Sequence, residues 1–130
     1  MPATVMIVDD SQMVRKQVAR TLIAAGFEVI EAHDGADALV QLSAASPAPS
    51  LIVLDVNMPN MGGIEFLQSL RGRGPNFVTP PVVMLTTEGE PRLMQEAKAL
   101  GAKGWIVKPF KPEMLVAAVQ KLTQAATKPV

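Results

Sequence analysis

The chain has 130 residues, of which 48% are hydrophobic and 18% charged, a composition that fits one globular domain and excludes a disordered or fibrous chain. Twelve basic and twelve acidic residues give a formal net charge of zero, so no excess of positive charge attracts nucleic acid or an anionic membrane surface. With no cysteines, no basic signal-peptide start and no apolar run of membrane-spanning length, we expect a cytoplasmic protein that forms a single domain over residues 1–130.

Five short apolar runs predict β-strands. In chain order they cover residues 4–8, 27–30, 51–54, 82–85 and 105–107. Four of these runs contain an almost continuously apolar stretch (VMIV, LIVL, VVML and WIV), which is typical of parallel strands that helices cover on both faces. The remaining run, FEVI, alternates between apolar and polar residues, so we expect it at an edge of the sheet.

Segments with helical periodicity follow each of these strands. They cover residues 13–25, 36–45, 64–70, 92–100 and 113–122. Gly26 follows the first segment at the position that favours glycine, and Pro91 and Pro112 precede the last two, where a first helical turn tolerates proline. The alternation predicts an α/β fold with the element order (βα)5. For this fold we expect a doubly wound, flavodoxin-like domain with a parallel five-stranded sheet in the order 2-1-3-4-5.

Polar residues stand where the predicted strands end. Asp9 and Asp10 follow the first strand, Asp55 the third, Thr86 the fourth and Lys108 the fifth. In an open parallel sheet, ligands bind outside the carboxyl ends of the strands, where the strand order reverses. If the first and third strands are neighbours, the three carboxylates converge on one crevice.

Three neighbouring carboxylates repel one another, so this crevice predicts a bound cation. Oxygen ligands without histidine or cysteine favour Mg²⁺, with Mn²⁺ as an alternative. Lys108 adds a positive charge and Thr86 a hydroxyl donor, although Thr87 competes for the hydroxyl role and only its spacing to Lys108 disfavours it. These groups together suit phosphoryl transfer to an aspartate. Asp55, alone at the centre of the sheet, is the best nucleophile, and the adjacent acidic pair resembles a metal site.

Four motifs, in order after four predicted strands, resemble those of the response-regulator receiver domains of two-component signalling. They are VDD at 8–10, LDVNMPNMGG at 54–63, MLTTE at 84–88 and GWIVKPF at 104–110. The resemblance covers essentially the whole chain. It is greatest to the single-domain chemotaxis regulators (CheY-like), because NMPNM and GWIVKPF are close to their pattern and we expect no output domain after the last helix.

The resemblance implies a phospho-acceptor protein with a defined ligand set. The metal ligands it implies are Asp9, Asp10, Asp55 and the backbone carbonyl of Asn57. It also implies phosphate contacts for Thr86 and Lys108, and a cis peptide bond before Pro109. The expected partners are a sensor histidine kinase and a downstream protein such as a flagellar motor switch or another chemotaxis component.

The resemblance further implies a conformational switch. Phosphorylation draws Thr86 inward, and Trp105 moves into the vacated space, which reshapes the surface of the fourth helix, fifth strand and fifth helix. Asn57 and Glu88 lie two residues beyond Asp55 and Thr86, as in regulators with fast self-dephosphorylation, so we expect a short-lived phosphoryl state.

Two residues depart from the family pattern. Gly62 stands where receivers usually carry aspartate, so we expect the third helix to keep only a glycine cap, weaker by a few tenths of a kcal/mol. Trp105 replaces the more usual tyrosine or phenylalanine, and its bulk restricts the inward rotamer.

Other function classes compete with a chemotaxis regulator. A receiver of the same sequence could serve as a phosphate sink or as an interaction module outside chemotaxis. An aspartate-dependent phosphatase also forms an aspartyl phosphate, but it needs DxD after the first strand, where this chain has DDS. A nucleotide binder would need a glycine-rich first turn in place of DDSQM. We therefore expect no enzyme beyond self-phosphorylation and self-dephosphorylation.

Overall fold

Five parallel strands form one sheet in the part of the chain that the structure describes. This computed structural model describes residues 3–45, 48–56, 58, 61–73, 79–86 and 91–127, the side chains of 124–127 excepted. The strands are β1 (Thr4–Val8), β2 (Glu28–Ala32), β3 (Leu51–Asp55), β4 (Val82–Thr86) and β5 (Gly104–Val107). The helices are α1 (Gln12–Ala24), α2 (Gly35–Ala44), α3 (Gly63–Arg71), α4 (Pro91–Ala99) and α5 (Pro112–Thr127). The strand order β2-β1-β3-β4-β5 confirms the prediction.

Helices cover both faces of the sheet, because successive strand residues point to opposite faces. On one face, Met6 and Ile52 belong to a buried cluster with Phe66 and other residues of α2, α3 and α4. On the other face, Ile7 and Val53 pack with α1 and α5. The continuous apolar runs of β1, β3 and β4 are therefore explained by burial on both sides. Within the described ranges, no helix combines the length and apolarity needed to cross a bilayer.

The prediction that helices cover β5 on both faces is wrong. The side chains of this strand alternate in burial, and Trp105 is 37% and Val107 48% exposed. β5 is an edge strand, like β2, and only the face that carries Ile106 packs into the core with α5. An apolar edge strand cannot be distinguished from a central one by its composition alone.

Helix ends follow the signals in the sequence. The amide of Gly26 donates to the carbonyl of Ile23, and the next amide donates to that of Leu22, both at 3.0 Å. This Schellman pattern requires the positive φ of 97° that Gly26 adopts, as its position predicts. Pro91 and Pro112 are the first residues of α4 and α5, also as predicted.

Two consecutive glycines begin α3 beside the phospho-acceptor candidate. Gly62 is the N-cap, and its amide donates to Oε1 of Glu65 at 3.3 Å, which partly replaces the missing cap side chain. A Cβ atom on Gly63 would lie 2.6 Å from the backbone oxygen of Asp55, whereas one on Gly62 would lie 3.4 Å from its nearest neighbour. Gly63 thus allows α3 to approach the end of β3.

The adjacent glycines make a matched pair for a stability test. We expect Gly62→Ser to raise the free energy of unfolding by a few tenths of a kcal/mol, because the hydroxyl supplies an N-cap acceptor. We expect Gly63→Ser to lower it by about 1–3 kcal/mol, because the backbone at Asp55 must move. Urea unfolding of both variants measures the difference, and equal stabilities would contradict this account.

Candidate metal centre

Three carboxylates meet at the carboxyl ends of β1 and β3. The register pairs Val8 with Leu54, so the residues that follow them, Asp9 and Asp55, lie side by side. One carboxylate oxygen from each of Asp9, Asp10 and Asp55, here called the acidic cluster, lies within 4.8 Å of the others. Asp9 and Asp55 are buried, and Asp10 is exposed. The structure thus brings together the carboxylates that the strand ends predicted.

Lys108 holds the two buried carboxylates together. Its Nζ lies 3.0 Å from Oδ2 of Asp9 and 3.4 Å from Oδ1 of Asp55. Burial lowers the pKa of Lys108, but the hydrogen bond to Asp9 and the charges of Asp55 and Asp9 outweigh it, so the net shift of the pKa is upward. The ammonium group is therefore charged at neutral pH. The peptide bond between Lys108 and Pro109 is cis, as the resemblance implied.

Asp9 is fixed by backbone as well as side-chain contacts. Its amide donates to the carbonyl of Ala32 at 3.1 Å, and its Oδ1 accepts the amide of Ser11 at 2.9 Å. Its backbone oxygen accepts Nη1 of Arg15 at 2.7 Å. With Lys108 on Oδ2, both carboxylate oxygens of Asp9 have a donor. Such contacts fix the direction of the Asp9 carboxylate, as hydrogen bonds to a candidate metal ligand do.

The proposed switch residues lie beside this site. Thr86, at the end of β4, is 6% exposed, and Trp105, on the neighbouring edge strand, is 37% exposed. Both line a cavity of only about 10 Å³ beneath α4. A cavity of this size holds at most one water molecule and cannot accept an indole ring. Asn57, Thr87 and Glu88 lie outside the described residues, so their roles stay predictions.

The residues present fit a hydrated divalent cation. A cleft of about 430 Å³ opens beside the acidic cluster, lined by Asp10, Val56, Met58, Gly62, Ile64, Glu65 and Leu93. The cluster offers carboxylate oxygens alone, which is the donor type that Mg²⁺ and Mn²⁺ prefer. The open cleft leaves space for the waters and phosphoryl oxygens that Mg²⁺ keeps in its coordination sphere.

Two residues of the site were not found from the sequence. Ser11 caps α1, accepting the amide of Val14 at 3.3 Å, while its own amide binds Asp9. A serine between an acidic pair and a helix is an N-cap signal that could have identified it. Arg15 reaches Asp9 from the first turn of α1, and nothing local in the sequence distinguishes it from a solvated arginine.

The comparisons with known proteins agree with this geometry. The response regulator receiver domain family matches the chain over residues 5–120. The chemotaxis protein CheY of Treponema pallidum is 38% identical over 110 residues, which are 84% of this chain and 74% of that protein. Response regulator MprA of Mycobacterium tuberculosis is 36% identical over 129 residues, and the alignment covers 99% of this chain but only 54% of that relative.

Solved structures show the same likeness. The chemotaxis response regulator CheY4 of Vibrio cholerae has a TM-score of 0.84 and 44% identity, covering 94% of this chain and 99% of that one. A receiver domain of a histidine kinase from Syntrophus aciditrophicus has a TM-score of 0.86 and 30% identity, with 98% and 95% covered. The family match and the shared fold lead to one conclusion: the chain belongs to the response regulator receiver domain family of two-component signalling and is CheY-like.

Proposed function

We propose that the chain is a phosphorylation-dependent switch in a two-component phosphorelay. A sensor histidine kinase transfers a phosphoryl group to Asp55 with Mg²⁺, and the surface of α4, β5 and α5 then changes for a downstream protein. The observation that carries the proposal is the place of Asp55: it is 4% exposed, belongs to the acidic cluster and has the Lys108 ammonium 3.4 Å from Oδ1. This is the set of groups that aspartyl phosphorylation requires.

The transfer is a displacement at phosphorus. A carboxylate oxygen of Asp55 forms a bond to phosphorus while the bond from phosphorus to the kinase histidine breaks, and the imidazole nitrogen keeps the electron pair. The proposed metal ligands are Asp9, Asp10, Asp55 and the backbone carbonyl of Asn57. When bound, Mg²⁺ neutralises charge on the phosphoryl oxygens. Asp9 is suited to a ligand role because Ser11 and Lys108 already orient its two oxygens.

Lys108 and Thr86 are proposed to bind the transferred group. The Lys108 ammonium already bridges Asp9 and Asp55, so it can follow the negative charge from the carboxylate to a phosphoryl oxygen. Thr86 ends the strand next to Asp55, since Leu85 pairs with Asp55 in the register. Its hydroxyl is proposed to donate to the same phosphoryl group.

The lifetime and the output of the phosphorylated state are assigned to flanking residues. We assign to Asn57 and Glu88 the positioning of the attacking water, which gives a short-lived phosphoryl state. Thr86 moves toward the phosphoryl group, and Trp105 follows it inward. Because the cavity between them is only about 10 Å³, the indole can enter only if the surrounding packing, which includes side chains of α4, rearranges as Thr86 moves. The switch is therefore a population shift between two packings beneath α4.

Chemotaxis is the proposed pathway. The likeness to chemotaxis proteins supports it, since CheY4 of Vibrio cholerae is 44% identical and matches over 99% of its length. The likeness to MprA, at 36% over nearly the whole of this chain, supports a second candidate: a receiver outside chemotaxis, acting as an interaction module or phosphate sink. The two candidates share the phosphoryl chemistry and differ only in the partner.

Phosphate uptake tests the chemistry directly. Incubation with acetyl phosphate and Mg²⁺ should give an acid-labile phosphate on the wild-type chain, measured by mass spectrometry. We expect Asp55→Asn to abolish it and Asp37→Asn, a carboxylate change on α2 outside the acidic cluster, to leave it intact. No uptake by the wild type would overturn the proposed function. A phosphate that persists for many hours after removal of the donor would contradict the roles given to Asn57 and Glu88.

Removal of Lys108 tests how the cluster is neutralised. We expect Lys108→Met in EDTA to lower the free energy of unfolding by about 2 kcal/mol, because two buried carboxylates lose their cation. Saturating Mg²⁺ should recover most of the loss, because the ion replaces the positive charge. Since the pKa of Lys108 is raised, its contribution is present at neutral pH and is lost in alkaline solution, as the pH rises through that pKa.

Urea unfolding with EDTA and with Mg²⁺ measures both effects. Lys98 is an exposed lysine on α4, so Lys98→Met is the control. It should change neither the free energy of unfolding in EDTA nor the increase that Mg²⁺ gives. If Mg²⁺ stabilised the wild type and Lys108→Met equally, the ammonium and the metal would not share a site.

Trp105, the only tryptophan, reports the proposed switch. Beryllofluoride with Mg²⁺ should change its emission in the wild type, because the ring leaves partial exposure for a buried position. We expect Thr86→Ala to bind beryllofluoride but to lose most of this change, and Thr21→Ala on α1 to keep it. A full change in emission in Thr86→Ala would contradict the proposal that the movement of Trp105 depends on Thr86.

A swimming assay distinguishes the two candidate pathways. In a motile host without its own chemotaxis regulator, the wild-type chain should alter ring expansion on soft agar, and Asp55→Asn should not. If neither affects swimming although phosphorylation proceeds in vitro, the receiver acts outside chemotaxis.

A further inference from the structure

Arg15 connects the acidic cluster to the edge strand of the sheet. Its Nη1 donates to the backbone oxygen of Asp9 at 2.7 Å, and its Nε lies 3.2 Å from Oε1 of Glu31 on β2. The side chain is only 15% exposed. A guanidinium is a planar donor with several N–H groups, so it can hold two acceptors at once in a fixed arrangement.

Glu31 is itself held firmly. Its Oε2 accepts Nζ of Lys16 at 3.0 Å, its backbone oxygen accepts Nε2 of Gln41 at 2.8 Å, and the strand register places it beside Ile7. Partial burial raises the pKa of Glu31, but the hydrogen bonds and charges of Lys16 and Arg15 outweigh it, and the net shift of the pKa is downward. The carboxylate is therefore ionised at neutral pH and can orient Arg15.

The backbone oxygen of Asp9 matters because it belongs to the peptide unit that leads to Asp10. That unit is planar, so a donor on its oxygen also fixes the direction of the Asp10 amide and Cα. Asp10 is the exposed member of the acidic cluster, and its carboxylate has no hydrogen bond or ion pair within the described ranges. Asp9 is held by Ser11 and Lys108, whereas Asp10 depends on its backbone.

We infer that Arg15, oriented by Glu31, is a positioning residue that fixes the peptide between Asp9 and Asp10 and so presents the Asp10 carboxylate for Mg²⁺. This inference rests on the proposed function, since it requires that the acidic cluster binds Mg²⁺. Arg15 is not among the proposed contacts of the metal or of the phosphoryl group.

If Arg15 positions Asp10, its removal should weaken Mg²⁺ binding, whereas its charge alone predicts the opposite. A positive charge near a cation site weakens cation binding, so removal of Arg15 would tighten Mg²⁺ binding if charge alone mattered. Lys16 provides a matched control, because it neighbours Arg15 on α1 and binds the same carboxylate of Glu31, but its described contacts do not include Asp9. Changes at Arg15 and Lys16 therefore remove equal charge and differ in the contact to the backbone.

The experiment is a Mg²⁺ titration of the full chain, in which binding is measured by calorimetry and by the amide signals in ¹H–¹⁵N NMR spectra. We expect Arg15→Gln to weaken Mg²⁺ binding by about tenfold, the lower end of the range for residues that orient metal ligands. We expect Arg15→Lys to weaken it as well, because an ammonium is a compact point charge and lacks the planar, fixed set of donors with which Arg15 spans Asp9 and Glu31. Lys16→Gln should bind Mg²⁺ as tightly as the wild type or more tightly.

A second measurement needs no metal. In EDTA, the ¹⁵N order parameter of the Asp10 amide should fall in Arg15→Gln and stay unchanged in Lys16→Gln. Should Arg15→Gln fail to fold, as judged by urea unfolding, Arg15→Lys, which keeps the charge, replaces it, with weaker Mg²⁺ binding expected. Equal or tighter Mg²⁺ binding by the Arg15 variants would overturn the inference. Absence of Mg²⁺ binding by the wild type would instead overturn the proposed function.

Discussion

Two ionised carboxylates buried side by side repel each other unless a positive charge lies between them, and here Lys108 supplies that charge to Asp9 and Asp55. The ammonium follows β5 and the acids stand at the carboxyl ends of the neighbouring strands β1 and β3, so the contact of Lys108 with Asp9 joins residues 99 positions apart. The order of the strands and their register therefore do two things: they form the core and they bring Lys108 to the two carboxylates. The proposed divalent ion and phosphoryl group would change the charge balance at the same point, and under this proposal their binding would affect the rest of the domain.

The two sides of the sheet contribute differently to this centre. On the β2 side, Glu31, Arg15 and Ser11 hold the chain around Asp9 with hydrogen bonds that do not depend on a ligand. On the β5 side, Trp105 and Val107 are exposed. The centre therefore has one side on which hydrogen bonds fix the groups around Asp9 and another side on which the edge strand is open to solvent.

Much of this arrangement could be predicted from the sequence, because the signals are local. The strands follow from apolar runs, the convergence of the acids follows from the places of Asp9 and Asp55 at strand ends once the expected strand order holds, and the end of α1 follows from Gly26. The exposure of β5 could not be predicted, because an apolar edge strand has the same residue pattern as a central strand. Arg15 was also missed, because its role depends on contacts with distant Glu31 and with a backbone oxygen, and neither leaves a pattern in the chain.

The narrow space between Thr86 and Trp105 has a consequence for kinetics. Exposed side chains change rotamer within nanoseconds, but movement of a packed helix takes microseconds to milliseconds. Because the cavity beneath α4 measures only about 10 Å³, the indole cannot turn inward until the packing around it, which includes side chains of α4, has rearranged. The speed of the proposed output would then be set by this rearrangement, and the fluorescence of Trp105 would report its rate instead of the rate of ring rotation.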